Sequence, residues 1–234
     1  MDLLLEYARG PLFRLTFAIM VLGLLRVFIL DIYGMVEAYL KAGDKNIPWK
    51  LTLLRTFEWL FPVKRVLNHR PIYSLIAIVF HIGLLLVPIF LFAHIQLWES
   101  GLGVTWPALS RSWADILTVT TIVSGLAIFI GRAGSKRARE ISRKQDYSWP
   151  LVLVLPFITG FICTHATVNP TFYQIFMLIH ILSAETIFVL LPFSKLAHCI
   201  LMPLSQFVYT LAWKFPARVD DDVCTTLNKK GAKV

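Results

Sequence analysis

The sequence predicts an all-α integral membrane protein: a bundle of five transmembrane helices, N-terminus outside and C-terminus cytoplasmic. Three observations predict it. Of 234 residues, 57% are hydrophobic and only 16% charged, whereas a soluble domain carries about a quarter of its residues as charges. The apolar residues fall in blocks long enough for a bilayer crossing, which takes about 20 residues of helix. Lys and Arg gather in two of the connections between those blocks. Backbone groups find no hydrogen-bond partners in hydrocarbon, so each block is expected to be a helix. Soluble enzymes and nucleic-acid binders are poor matches, because the net charge of +9 is mostly an orientation signal.

The first block runs from about residue 12 to 33. It lacks the charged leader, short apolar core and small-residue cleavage site of a removed signal peptide and is expected to be a retained span. The connection after it carries Lys41, Lys45, Lys50, Arg55, Lys64, Arg65 and Arg70. Within it, residues 49–67 mix Leu, Phe and Trp with Arg and Lys, a composition suited to lying along the cytoplasmic interface. His69, beside Arg70 and Pro71, is expected at the same boundary.

The second block spans residues 72–97 and the third 113–131, with only Arg111 as a basic residue between them. Trp98, Trp106 and Trp113 cluster at this outer boundary as expected interfacial anchors. The third connection carries Arg132, Lys136, Arg137, Arg139, Arg143 and Lys144. The fourth block covers 149–166, and the fifth runs from 171 to 193, with an extension to about 203, separated by a connection without Lys or Arg. The two basic connections therefore face the cytoplasm. Lys195, Lys214, Arg218, Lys229, Lys230 and Lys233 agree. Residues 1–203 are expected to form the membrane domain and 204–234 a cytoplasmic tail, polar from Asp220 onward and either disordered or folded on a partner.

Histidine is the side chain with most chemical scope here. His180 and His198 are 18 residues apart; on one helix that is five turns, about 27 Å, on a single face. His81 and His94 lie in the second block, 13 residues apart, with an angular offset of about 220° on a straight helix. Pro88 lies between them and can bend the helix so as to re-aim His94. Imidazoles from two facing helices can clamp a haem iron from both sides. Antiparallel second and fifth spans pair His81 with His198 and His94 with His180. His165 ends the fourth block, where it can replace His94 as ligand, line a quinone pocket or cap the helix. Gly83 and Ala184 supply the small volume that a flat macrocycle between helices needs, and equally suit plain helix packing. Cys163, Cys199 and Cys224 are isolated, with no CxxC or CxxCH spacing, so no cluster of their own or covalent haem is expected.

LIHILSAETIFVLLPFSKLAH, from Leu178 to His198, and FHIG, from Phe80 to Gly83, resemble the membrane-bound gamma subunit of respiratory nitrate reductase and the wider family of dihaem cytochrome b subunits of quinol and quinone oxidoreductases. The resemblance covers about residues 5–200, apart from much of the first cytoplasmic connection. It implies two non-covalent b haems between the second and fifth spans, with His81 and His198 on the cytoplasmic haem and His180 on the outer one. His94 is the implied fourth ligand. The interval between His81 and His94 is longer than in the family, which keeps His165 as an alternative. The resemblance further implies electron transfer between menaquinone, or a related quinone, and a partner redox subunit. That partner is an iron-sulfur subunit, a multihaem cytochrome or both, in a bacterial or archaeal cytoplasmic membrane. No Walker, dinucleotide-binding or metal-carboxylate motif supplies a catalytic head within the chain.

Glu185, mid-way along the fifth block, is a candidate proton carrier for quinone chemistry or a structural partner of Arg26, because a lone carboxylate there is expensive. Arg26 can also bind a haem propionate or pair with Asp31. Arg111 and Asp115 stand at the outer end of the third block, where relatives place quinone-contacting groups. Two alternatives follow from the same features: a haem-free membrane anchor, and a small transporter using Glu185, Arg26 and His180 for a proton or ion route.

Overall fold

The computed structural model describes residues 1–60, 71–165, 169–212 and 219–229. His69, and residues 61–67 of the expected interfacial segment, lie outside them. Among the described residues every extended element is helical. Five stretches are long and apolar enough to cross a membrane: Asp2–Lys41, Pro71–Phe90, Arg111–Gly134, Lys144–His165 and Pro170–Phe193. They coincide with the five blocks read from the sequence. Their outward side chains are hydrocarbon, with Leu22 65%, Ile72 75% and Ile130 65% exposed. Apolar surface on that scale calls for lipid as its cover.

In chain order the helices are α1 (Asp2–Tyr7), a π-turn at Ala8–Leu12, α2 (Phe13–Lys41), α3 (Trp49–Leu60), α4 (Pro71–Phe90) and α5 (Phe92–Leu102). There follow α6 (Arg111–Gly134), α7 (Lys136–Ile141), α8 (Lys144–His165) and α9 (Pro170–Leu190), then 3-10 turns at Leu191–Phe193 and Lys195–Ala197, α10 (His198–Ala212) and α11 (Val219–Thr226).

The chain divides into two compact units, the first comprising Met1–Phe17 and Lys64–Phe188. Its centre is α6, whose buried face is Ala114, Thr118, Thr121, Ser124, Gly125 and Ile128. These side chains are small, so neighbouring backbones approach closely. A Cβ on Gly83 of α4 would overlap Thr121 Oγ1, and one on Gly125 would overlap Val154 of α8. Gly83 therefore serves the packing of α4 on α6. The buried hydroxyls are satisfied within α6: Thr118 donates to Ala114 at 2.7 Å, Thr121 to Leu117 at 2.6 Å and Ser124 to Thr120 at 2.6 Å. At the far end of α6, Arg132 donates to Tyr73 of α4 at 3.0 Å and lies 3.6 Å from Asp146 of α8. Elsewhere in this unit Phe13 and Phe17 pack on Phe188 of α9, and Phe17 meets Trp98 of α5 edge-on at 5.3 Å.

The second unit comprises Ala18–Val63 and Val189–Val234. Here α3 packs against α10, with Thr52, Thr56 and Gln206 buried and Trp49 6.1 Å from Phe207. Trp49, Leu53, Leu54 and Phe57 stay exposed on α3, the apolar side of an amphipathic helix. Gly23 of α2 lies against Pro192, whose Cγ would be 2.5 Å from an added Cβ.

Two spans differ from expectation. The second apolar block is two helices, because Leu91 is extended (φ −71°, ψ 128°) and separates α4 from α5. The fifth ends at Leu190, and an extended Ser194 separates the 3-10 turns before α10 begins at His198. Pro192 has no N–H to continue the α-helical ladder, which accounts for the break. The expectation of a single helical face carrying both His180 and His198 is therefore corrected, and the 27 Å spacing derived from it no longer applies.

Candidate functional site

The break at Leu91 shapes the site. It removes the helical donors of three carbonyls, which buried polar groups must replace. Each has a new partner: Pro88 accepts from His94 Nδ1–H at 3.0 Å, Ile89 from Trp106 Nε1–H at 3.0 Å, and Phe90 from the Leu109 N–H at 2.9 Å. The chain returns from α5 through Gly103, whose φ of +68° is open to glycine at little cost. Trp106, expected only as an interfacial anchor, thus also closes the break. His94 is turned by the same break and tied to it.

His180 reaches α9's neighbour α8 in the same unit. Its Nδ1–H donates to the Pro156 carbonyl at 2.8 Å. Glycine at 160, one helical turn on, makes room, since a Cβ there would stand 3.0 Å from His180 Cε1 and 3.1 Å from Nδ1. Neither Pro156 nor Gly160 was expected in the site. The signal was present as a proline and a glycine four residues apart within an apolar span, in LPFITG.

The structure brings His94 and His180 together. Their ring centroids are 6.1 Å apart, and the ring planes are 18° from parallel. With Nδ1–H given to a carbonyl, each imidazole carries its lone pair on Nε2, the tautomer set by the acceptor it faces. Two imidazoles bound to one metal at about 2 Å each, plus a little over 1 Å from nitrogen to ring centre, stand about 6 Å apart. Two neutral imidazoles, each tied through Nδ1–H to a carbonyl, are a donor set that could hold a metal or a metal-bearing cofactor through Nε2.

His165 is placed differently. Its Nε2 lies 3.0 Å from Asp115 Oδ2, its Nδ1–H donates to Phe161 at 3.2 Å, and its ring stacks on Phe161 at 4.2 Å. Both nitrogens face oxygen acceptors. Arg111 is exposed one turn before Asp115 in the first turn of α6.

His81 is exposed on α4, with Nδ1–H donating to Ala77 at 2.7 Å. In the second unit, His198 opens α10 and donates Nδ1–H to Lys195 at 2.8 Å. Arg26 is exposed on α2, and the buried Oδ2 of Asp31 has no hydrogen-bond partner among the described residues. Glu185 of α9 is 3% exposed, and neither carboxyl oxygen has a hydrogen-bond partner among the described residues. No three-residue group of His, Cys, Asp and Glu suited to a bare metal ion occurs among the described residues.

No protein-family profile matches the chain, and no solved structure matches it. A protein of Nitratidesulfovibrio vulgaris (strain Hildenborough) is 32% identical over 150 residues, 64% of this chain. The match spans 65% of that relative's length.

Proposed function

We propose that the chain is a membrane cytochrome b subunit that carries electrons between a quinone pool, menaquinone or a related quinone, and a partner redox subunit. The observation that carries this proposal is the facing pair His94 and His180, 6.1 Å apart and each oriented by a proline carbonyl. A haem bound there supplies one-electron transfer. The protein's part is to hold both imidazoles as neutral Nε2 donors and to exclude water. Pro88 and Pro156 fix the ring rotations, and Gly160 lets the second ring approach α8. The likeness of Leu178–His198 and Phe80–Gly83 to the dihaem family implies a second b haem in the chain, a part of the proposal that rests on the resemblance alone.

The positive-inside rule puts the basic connections in the cytoplasm and the 103–110 loop outside, so the His94–His180 pair serves the outer haem. The localisation proposed is a bacterial or archaeal cytoplasmic membrane. Iron-sulfur or multihaem cytochrome subunits, as in the resembling family, supply the catalytic head. Glu185 is the buried carboxyl proposed to hold a proton during quinone turnover.

Reduced-minus-oxidised visible spectra of the chain purified from a haem-replete membrane, with a pyridine hemochrome count, test the proposal. Two b haems per chain are expected. A colourless, folded chain would leave an anchor or a transporter and end the redox assignment.

A further inference from the structure

We propose that α10 is a membrane-surface helix, sunk among the anionic phospholipids of the leaflet on the basic side of the bilayer, with α3 as its headgroup-facing partner. The sequence alone placed residues 204–212 in a cytoplasmic tail. The inference concerns the second unit by itself and does not rest on the redox function proposed above. In α10, Leu201 is 43%, Met202 38%, Val208 41% and Tyr209 54% exposed. At 3.6 residues per turn these four fall within an arc of about 120°. Phe207, which meets Trp49 of α3 at 6.1 Å, lies about 160° from the middle of that arc. The apolar face of α10 therefore points away from α3. No Asp, Glu, Lys or Arg occurs between Lys195 and Lys214. With 15 residues the helix is about 22 Å long, too short to cross a hydrocarbon core of about 30 Å. In water it would leave a continuous apolar face uncovered. Lying along the leaflet covers that face.

The partner helix has the complementary layout. Lys50, Arg55 and Glu58 are exposed on α3 and fall in one arc of about 140° that excludes Thr52 and Thr56. Those two threonines are buried and donate to the Pro48 and Thr52 carbonyls at 3.1 and 2.9 Å, so α3 and α10 meet through small, satisfied side chains. The pair is thus charged on the α3 side and apolar on the α10 side, the order in which a leaflet changes from headgroup to acyl chain. Lys50 and Arg55, with Lys214 and Arg218 just after α10 in sequence, supply the cations that lipid phosphate attracts. The chain also delivers both helices to one leaflet. The first and fifth spans cross a bilayer in the same direction, so α2 and α9 leave it on the same side. Seven residues separate α2 from α3 and seven separate α9 from α10, and seven residues reach at most about 25 Å. The lipid-covered surface of the spans therefore continues onto this pair.

The test places the full chain in bilayers of phosphatidylethanolamine and phosphatidylglycerol. Cys163, Cys199 and Cys224 are replaced by serine, and a nitroxide is attached at Leu201→Cys, Val208→Cys, Tyr209→Cys or Lys50→Cys. Relaxation of each label by oxygen, which concentrates in acyl chains, is compared with relaxation by a water-soluble nickel chelate. Oxygen is expected to dominate at 201, 208 and 209, and the chelate at 50. Labels at 208 and 209 as open to the chelate as one at Lys229→Cys would put α10 in water and overturn the proposal. Labels there shielded from both reagents would mark a protein cover, a second copy or another subunit, and overturn it equally. The unsubstituted chain gives a readout free of folding defects: in the same bilayers, phosphatidylglycerol carrying a diazirine in its acyl chain is expected to mark residues 201–209 on illumination, as read by mass spectrometry. Adducts on the five spans with none on 201–209 would overturn the proposal.

Discussion

Replacing Gly160 with alanine tests how His180 is held. The new Cβ would stand 3.0 Å from Cε1 and 3.1 Å from Nδ1 of the ring, where non-bonded carbon atoms settle at about 3.5–4 Å. The imidazole must therefore retreat by about half an ångström. Its anchor, the Pro156 carbonyl at 2.8 Å, lies on the same helix, so retreat stretches that hydrogen bond to about 3.2 Å or beyond, where it weakens. Two energies oppose each other. Alanine gains about 1 kcal/mol over glycine inside a helix, and a weakened hydrogen bond costs about 0.5–1.5 kcal/mol. They nearly cancel, so the melting temperature of the chain should barely move. Cofactor binding has no such compensation, because loss of the group that orients a ligating histidine lowers metal affinity about 10–100-fold. The assay is the reduced-minus-oxidised spectrum and hemochrome count after purification, beside a thermal melt. The expected result is one spectral component lost or shifted, the other intact, and a near-normal melt. Full retention of both components, with unaltered line shape and midpoint potential, would refute the role given to Gly160.

Other substitutions separate the remaining roles. His94→Ala is expected to remove one haem component while His165→Ala retains both, measured by the same spectra, and the opposite pattern would move the ligand role to His165. Gly83→Val is expected to cost about 1–3 kcal/mol by overpacking α4 on α6, since Thr121 is pinned to the Leu117 carbonyl at 2.6 Å. An unchanged melt in detergent would contradict that packing. Glu185→Gln removes a buried carboxyl that lacks a hydrogen-bond partner among the described residues, so stability should stay within about 1 kcal/mol and haem content should be normal. Quinol turnover is expected to slow, and turnover at the wild-type rate would dismiss Glu185 from proton transfer.

The spans were legible because a run of some 20 apolar residues has few other solutions, and all five appear where the composition put them. The local breaks were only half legible. Pro88 announced a bend, but the carbonyls freed at Leu91 are satisfied by Trp106 and Leu109, whose approach depends on the return loop. Pro192 also announced the end of a helix, and the even spacing of His180 and His198 obscured it. Histidine was recognisable as the chemical side chain, but its orienting partners are backbone carbonyls, which every residue possesses and no motif marks. Gly83 read equally as a gap for a macrocycle or as a packing residue; Thr121 against it gives the packing role. Asp115 and His165, 50 residues apart in sequence, carried no pairing signal, because their contact comes from the packing of α6 on α8.

The most direct measurement is an experimental density map of the chain prepared from haem-replete membranes, at a resolution that shows axial ligands. An iron porphyrin bonded by His94 Nε2 on one face and His180 Nε2 on the other is the expected result. A map in which those two rings face each other with no porphyrin, or in which His165 completes the iron, would contradict it.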